Sequence, residues 1–372
     1  MDQRRKIKKV LVVTLLAATI PFSAGCELGY VVRQGLHQVR LLAQRRPVGE
    51  VLADPSVDAG VKDRIRLVQE VRAFGENHLG LRTSHAYETF IEIQGDAVAY
   101  VVSACPKDRL EPYLWRFPIV GQFPYKGFFR REEAEEEKTA LQEEGLDAHL
   151  SAASAYSALG WFSDPLYSSM LRMEETALAY TILHEMVHRT IFFRDQVDFN
   201  EQLATLVGWQ GTVALMESVH GKDSKEARRV SYIIEDERRL GDFLRWAHER
   251  LADFYALPMD SSEKIGRREA VFGEIRAKAL ALLPEFRTDR YLGLAQMVWN
   301  NASLLAFWRY RYNTAELEAL YERLGGDLRR LVEMVKSWRE KGQDPRQTIE
   351  RDLSIAPSPL PAPGDLLTSA YD

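Results

Sequence analysis

The sequence predicts an α+β fold, mostly α, with a small antiparallel sheet beside one pair of helices and a helical C-terminal half. Three observations carry this expectation. Residues 90–104 alternate apolar and other side chains (Ile91, Ile93, Tyr100, Val102), the period of a half-buried strand. Residues 177–193 hold neither Pro nor Gly and repeat Leu178, Ile182, Leu183, Val187 and Ile191 at helical spacing. From Ser224 to Trp338 the apolar residues keep the helical period. With 372 residues, 46% of them hydrophobic, the chain can bury a sizeable core.

In chain order, residues 28–58 read as helix, broken at Arg45-Arg46-Pro47, and 55–77 as a second helix. Gly95-Asp96 punctuates the strand pattern of 90–104 and predicts a hairpin. Residues 115–127 are aromatic and Pro-broken, and 131–145 form a Glu-rich helix with one solvated face. Residues 148–159 read as a strand running up to the helix at 177–193. Helices are expected at 224–257, 262–283, 291–310, 314–324 and 327–338. The Pro-rich stretch 356–364 predicts an unpacked tail over 346–372. No repeat and no Pro/Gly/Ser-rich linker divides the body, so 27–345 is expected as one domain, its β part at about 85–160 and its helical part at about 170–345.

The chemistry concentrates in His184-Glu185-Met186-Val187-His188. Residues four apart share a helix face, so both imidazoles can reach one metal ion, with the Glu185 carboxylate beside any water bound to it. H-E-x-x-H is the arrangement of zinc peptidases, in which the Glu is the general base. The alternative is a pair of hydrogen-bonded core histidines beside a surface Glu. It is the weaker reading, because polar groups on a buried helix cost free energy unless paired or metal-bound. A catalytic zinc needs a third protein ligand and a position left for water. The metzincin continuation is excluded, since Ile191 and Arg194 stand where Gly and His would. Glu201 is the candidate third ligand, in the first turn of a second apolar-periodic segment after a short loop, with Ala204 allowing close approach of the two helices. Asp195 and Asp198 are reserves, and Asp198-x-x-Glu201 also reads as a capping-box variant.

Residues 1–26 read as a targeting segment. Arg4, Arg5, Lys6, Lys8 and Lys9 precede an apolar run, Val10 to Phe22, too short for a comfortable span. It ends in Ser23-Ala24-Gly25-Cys26, which resembles a bacterial lipobox with Cys26 lipidated, although Ser23 departs from the usual Leu. The body is therefore expected to be exported and anchored to a bacterial membrane, facing the periplasm or the cell exterior. An ordinary secretory signal peptide or a short N-terminal anchor is the alternative. Cys105 then has no partner and reads as a buried small hydrophobe. A formal net charge of −5 provides no basic footprint for nucleic acid.

Several further segments match a known family: Gly25-Cys26-x-x-Gly29-Tyr30, Arg45-Arg46-Pro47, Phe117-Pro118-Ile119-Val120-Gly121, Pro124-Tyr125-Lys126-Gly127-Phe128-Phe129, Ala155 to Phe162 with Asp164-Pro165, Phe199-Asn200-Glu201, and Asn300-Asn301-Ala302. With the H-E-x-x-H they resemble the bacterial predicted-aminopeptidase lipoproteins, gluzincin-like zinc enzymes. Ala158 stands where Thr is expected. The resemblance implies a zincin-type helix pair, zinc held by His184, His188 and Glu201, and a peptide substrate hydrolysed with Glu185 as general base. It further implies a cleft strand at 155–160, where Tyr156, Ser157 and Gly160 would meet the substrate backbone. Tyr310, Tyr312 or Tyr156 could stabilise the oxyanion. No Gly-x-x-Glu-Asn type element is present to hold a free α-amine, so aminopeptidase specificity is carried by resemblance. The competing class is a non-catalytic envelope lipoprotein, a binding or assembly factor with a structural or vestigial metal.

Overall fold

The computed structural model describes residues 25–82, 85–93, 95, 97–117, 121–153, 164–194, 196–309 and 314–353. The fold is α+β, with small sheets in the N-terminal half and helices thereafter. Helix α1 (Gly25–Ala43) leads into the two-residue strand β1 (Arg46–Pro47), a short α2 (Val48–Ala53) and α3 (Ala59–Leu79). Asp58 caps α3 by accepting from the Gly60 and Val61 amides, and Gly80 ends it in the left-handed conformation.

Strands β2 (Thr89–Ile91) and β3 (Ala99–Cys105) do not form the hairpin expected at Gly95-Asp96. Each has both edges taken by other strands. Strand β2 lies between β1, antiparallel, and β8 (Leu166–Tyr167), parallel. Strand β3 lies between β6 (Lys126–Phe128) and β7 (Asp147–Ala153), antiparallel to both. A strand with no free edge cannot pair with its sequence neighbour. Strands β4 (Trp115–Phe117) and β5 (Gly121–Phe123) pair separately, and the acidic helix α4 (Arg131–Glu143) packs over β3 and β7.

After β8 come a single turn, α5 (Ser168–Leu171), and the helix carrying the H-E-x-x-H, α6 (Glu175–Thr190). It packs along α7 (Val197–His220) and α3, and Leu178, Ile182, Leu183 and Val187 are fully buried there. Ala204 is buried in that contact, as the sequence implied, and Gly208 and Gly211 extend the close approach. A Cβ on Gly208 would sit 3.0 Å from the Tyr180 ring and 3.4 Å from His184 Cβ.

Two long helices, α8 (Lys225–Ala256) and α9 (Ser261–Leu282), begin at Ser224 and Asp260 caps and build a second core around Phe243, Leu251, Phe272 and Trp299. The helix expected over 291–310 is instead a 3-10 turn, Leu292–Gln296, followed by α10 (Asn301–Arg309). Asn300 and Ser303 cause the break: each side chain accepts from the other's amide, a reciprocal cap that restarts the helix. Helices α11 (Ala315–Arg323), α12 (Leu328–Glu340) and α13 (Pro345–Leu353) close the chain. The packed body thus reaches past residue 345, correcting the unpacked tail expected from 346. Asp344 caps α13 by accepting from the Gln347 amide, Pro345 is its first residue, and Ile349 is buried. Residues 354–372 lie outside the described residues.

Candidate metal centre

Helices α6 and α7 bring His184, His188 and Glu201 to one point. The two Nε2 atoms are 3.1 Å apart; Glu201 Oε2 lies 3.3 Å from His184 Nε2 and Glu201 Oε1 3.2 Å from His188 Nε2. All three residues are half-buried. The ligand separations match an ion. Bonds of about 2.0–2.1 Å in a tetrahedron put neighbouring ligand atoms about 3.3 Å apart. Among the described residues these three form the only His/Cys/Asp/Glu group able to hold a metal, so a tetrahedral ion would keep one corner for a non-protein ligand.

Glu201 is placed by the residue before it. Buried Asn200 accepts from the Phe193 amide and donates to the Phe193 carbonyl, at 2.9 and 2.8 Å, pinning Phe193 to the start of α7. The expected capping box is not formed: Gln196 stands at the N-cap without a side-chain capping bond, its amide donating instead to Asp344. Asp198 turns to Arg346, 3.5 Å away, and is not part of the metal group. The other reserve ligand, Asp195, lies outside the described residues.

Electrostatics bind the triad. Burial alone would raise the Glu201 carboxyl, but hydrogen bonds from His184 and His188 and their charges hold it well below the usual carboxylate range. Burial opposes a charged His188; its bond to Glu201 and the charges of Glu201 and Glu185 outweigh that and raise its pKa. The remaining ring nitrogens differ. His184 Nδ1 lies 3.3 Å from the Tyr180 hydroxyl, and Tyr180 stacks on Trp209 at 3.9 Å. His188 Nδ1 is buried without a partner.

Glu185 is half-buried, and among the described residues no hydrogen bond or ion pair holds it. One turn on, Arg189 pairs with buried Asp164, whose carbonyl accepts from the Tyr87 amide at 2.8 Å. Tyr87 is buried in a left-handed conformation, φ 60°. Its phenol is pushed well up by burial and then by the charges of Glu185 and Asp164. Tyr87, Tyr180 and Asn200 were missed in the sequence. Only Asn200, next to Glu201, carries a local signal.

Tyr156, Ser157 and Gly160, the expected substrate contacts, and Tyr310 and Tyr312, the oxyanion candidates, lie outside the described residues, as does the side chain of Cys26. His220 faces Glu175 and His248 stacks on Trp308, away from the triad. Cys105 is buried, its thiol donating to the Arg109 and Glu111 carbonyls and pushed up to about 12 by burial.

The fold is thus an α+β scaffold on which a helix pair presents two histidines and a glutamate at one point. The chain belongs to the family described as "Putative aminopeptidase", whose model matches residues 29–349. No curated protein and no solved structure matches it.

Proposed function

We propose that the protein is a zinc-dependent peptidase of the bacterial cell envelope, anchored by lipid at Cys26. The observation that carries the hydrolytic reading is the convergence of His184, His188 and Glu201 at tetrahedral spacing, with the unpaired Glu185 on the adjoining position of α6. The donor set suits zinc: two imidazole nitrogens, one carboxylate and an open corner. When bound, the ion would make a water acidic near neutral pH and polarise a peptide carbonyl. Glu185 takes the proton from the attacking water and returns it to the leaving amine. Glu201 would balance one positive charge of the ion, Asn200 fixes its backbone, and Tyr180 would orient the His184 ring. The family description favours removal of N-terminal residues. The envelope address rests on the basic-apolar segment ending in Cys26.

Metal analysis of the purified full chain, with hydrolysis of a peptide pool, tests the proposal. About one zinc per chain is expected. Glu185→Gln should keep that zinc and lose about 10²–10⁴-fold in rate. Full activity in Glu185→Gln would overturn the mechanism. Equal cleavage of free and N-acetylated peptides would exclude an aminopeptidase while leaving a peptidase.

A further inference from the structure

Helix α1 exposes apolar side chains on the face turned away from the body. Its inner face is Tyr30, Gln34, His37 and Leu41. Tyr30 packs against Phe117 and Phe128, Gln34 donates to Glu133 and accepts from the Phe129 amide, and His37 lies against Phe129. Gln38 is turned inward too, and both its side-chain polar atoms are buried without a partner. Its neighbour Val39 is 65% exposed, with Val32 at 55% and Leu36 at 53%. These three recur at i, i+4 and i+7 and form one outward stripe, flanked by the exposed Val31. Single exposed apolar residues are ordinary; a contiguous stripe opposite buried amides is not.

Charge points the same way. Exposed Arg33 and Arg40 lie about 80–100° round the helix from Val32, bordering the stripe, and neither has an ion pair among the described residues. Residues 25–46 hold four Arg and one acid, Glu27, in a protein whose net charge is −5. The helix begins directly after the apolar run Val10 to Phe22, so its position is beside whatever that run enters. Among the described residues no helix is long and apolar enough to cross a membrane. An apolar stripe with a basic border is the pattern of a helix lying in the headgroup layer.

We infer that the Val32–Leu36–Val39 face of α1 docks onto a bilayer surface bearing anionic headgroups, holding the body against the membrane in a fixed orientation. The inference stands apart from the peptidase reading, and from whether Cys26 is lipidated.

The full chain, in a Cys26→Ser, Cys105→Ala background, is reconstituted into phosphatidylethanolamine–phosphatidylglycerol vesicles. Nitroxide labels are placed at Val32→Cys, Leu36→Cys or Val39→Cys, with Glu249→Cys on α8 as control. Oxygen, which concentrates in the bilayer, should relax the first three labels more than a water-soluble nickel chelate does; the control should show the reverse. Arg33→Gln with Arg40→Gln should lower the bilayer-facing population by about fivefold per charge removed. Nickel access at all three stripe positions would overturn the inference. Spin–spin broadening there would overturn it too, because a second copy of the chain would then be the occupant.

Discussion

Two clusters of polar side chains, one buried and one half-buried, follow opposite principles. At Arg268 and Asp147 the guanidinium makes two hydrogen bonds to the carboxylate, at 2.6 and 2.7 Å, and a third to the Lys107 carbonyl. Asp147 also accepts from the Asn301 amide, and Asn301 donates to the Pro106 and Arg109 carbonyls and accepts from Tyr255. The network is closed on itself and ties the segment after β3 to β7, α8, α9 and α10. At His184, His188 and Glu201 three groups instead aim at one point, and His188 Nδ1 is left without a partner. A closed network holds a fold; a convergent one has room for the ion proposed above.

The largest effect should come from opening the closed cluster. Arg268→Met leaves Asp147 buried beside an apolar side chain, and unfolding free energy should fall by about 3–5 kcal/mol. Adding Asp147→Leu should recover much of that, since an apolar pair of similar volume costs little. Urea unfolding of the three proteins measures both changes. Zinc affinity of the folded Arg268→Met protein should match the parent. A weakened affinity would mean that the clusters are coupled, and the division drawn between them would fail.

The convergent cluster was the more legible of the two. His184 and His188 share a helix face by local geometry alone, and Glu201 follows across a loop too short to allow many packings. Asp147, Arg268 and Asn301 are distant in the chain, and nothing local joins them. The same distinction explains the missed sheet partners: β2 takes Arg46–Pro47 and Leu166–Tyr167 as neighbours, a choice made by the whole fold. Helix α13 was a different failure. Asp344-Pro345 is a helix-start signal in plain view, overshadowed by the prolines beyond residue 356. Tyr180 was beyond reach because its role depends on how α7 crosses α6 at Gly208.

Tyr180 gives the next test. Its hydroxyl lies 3.3 Å from His184 Nδ1, where it can accept from an Nδ1–H once Nε2 gives its lone pair to a metal ion. Tyr180→Phe keeps the stacking on Trp209 and removes the hydrogen bond. Zinc affinity, read by chelator competition, should drop about 10–100-fold, with the urea midpoint of the metal-free protein unchanged. Gly208→Ala would press on the same ring and should lower affinity and stability together. An unaltered affinity in Tyr180→Phe would show that helix packing alone aims His184.

The smallest effect separates the two clusters by acid. His149 lies two residues after Asp147 on β7, its ring against Phe307 of α10. Burial, and secondarily the Lys138 charge, lower its pKa from 6.5 to about 4. Unfolded, the imidazole would titrate near its ordinary value, so between those two pH values the unfolded chain binds the extra proton. Stability from neutral His149 is therefore present above about 6.5 and is lost as pH falls toward 4. Its side chain is half-buried, so the loss at pH 5 is on the order of 1–2 kcal/mol. His149→Phe should remove that part of the difference between unfolding free energies at pH 7 and pH 5. If zinc is bound as proposed, its release would be governed by protonation of the ligands themselves. The pH of half-release should then be the same in His149→Phe and parent, and a shift in it would show that acid reaches the metal group by loosening the β7 region.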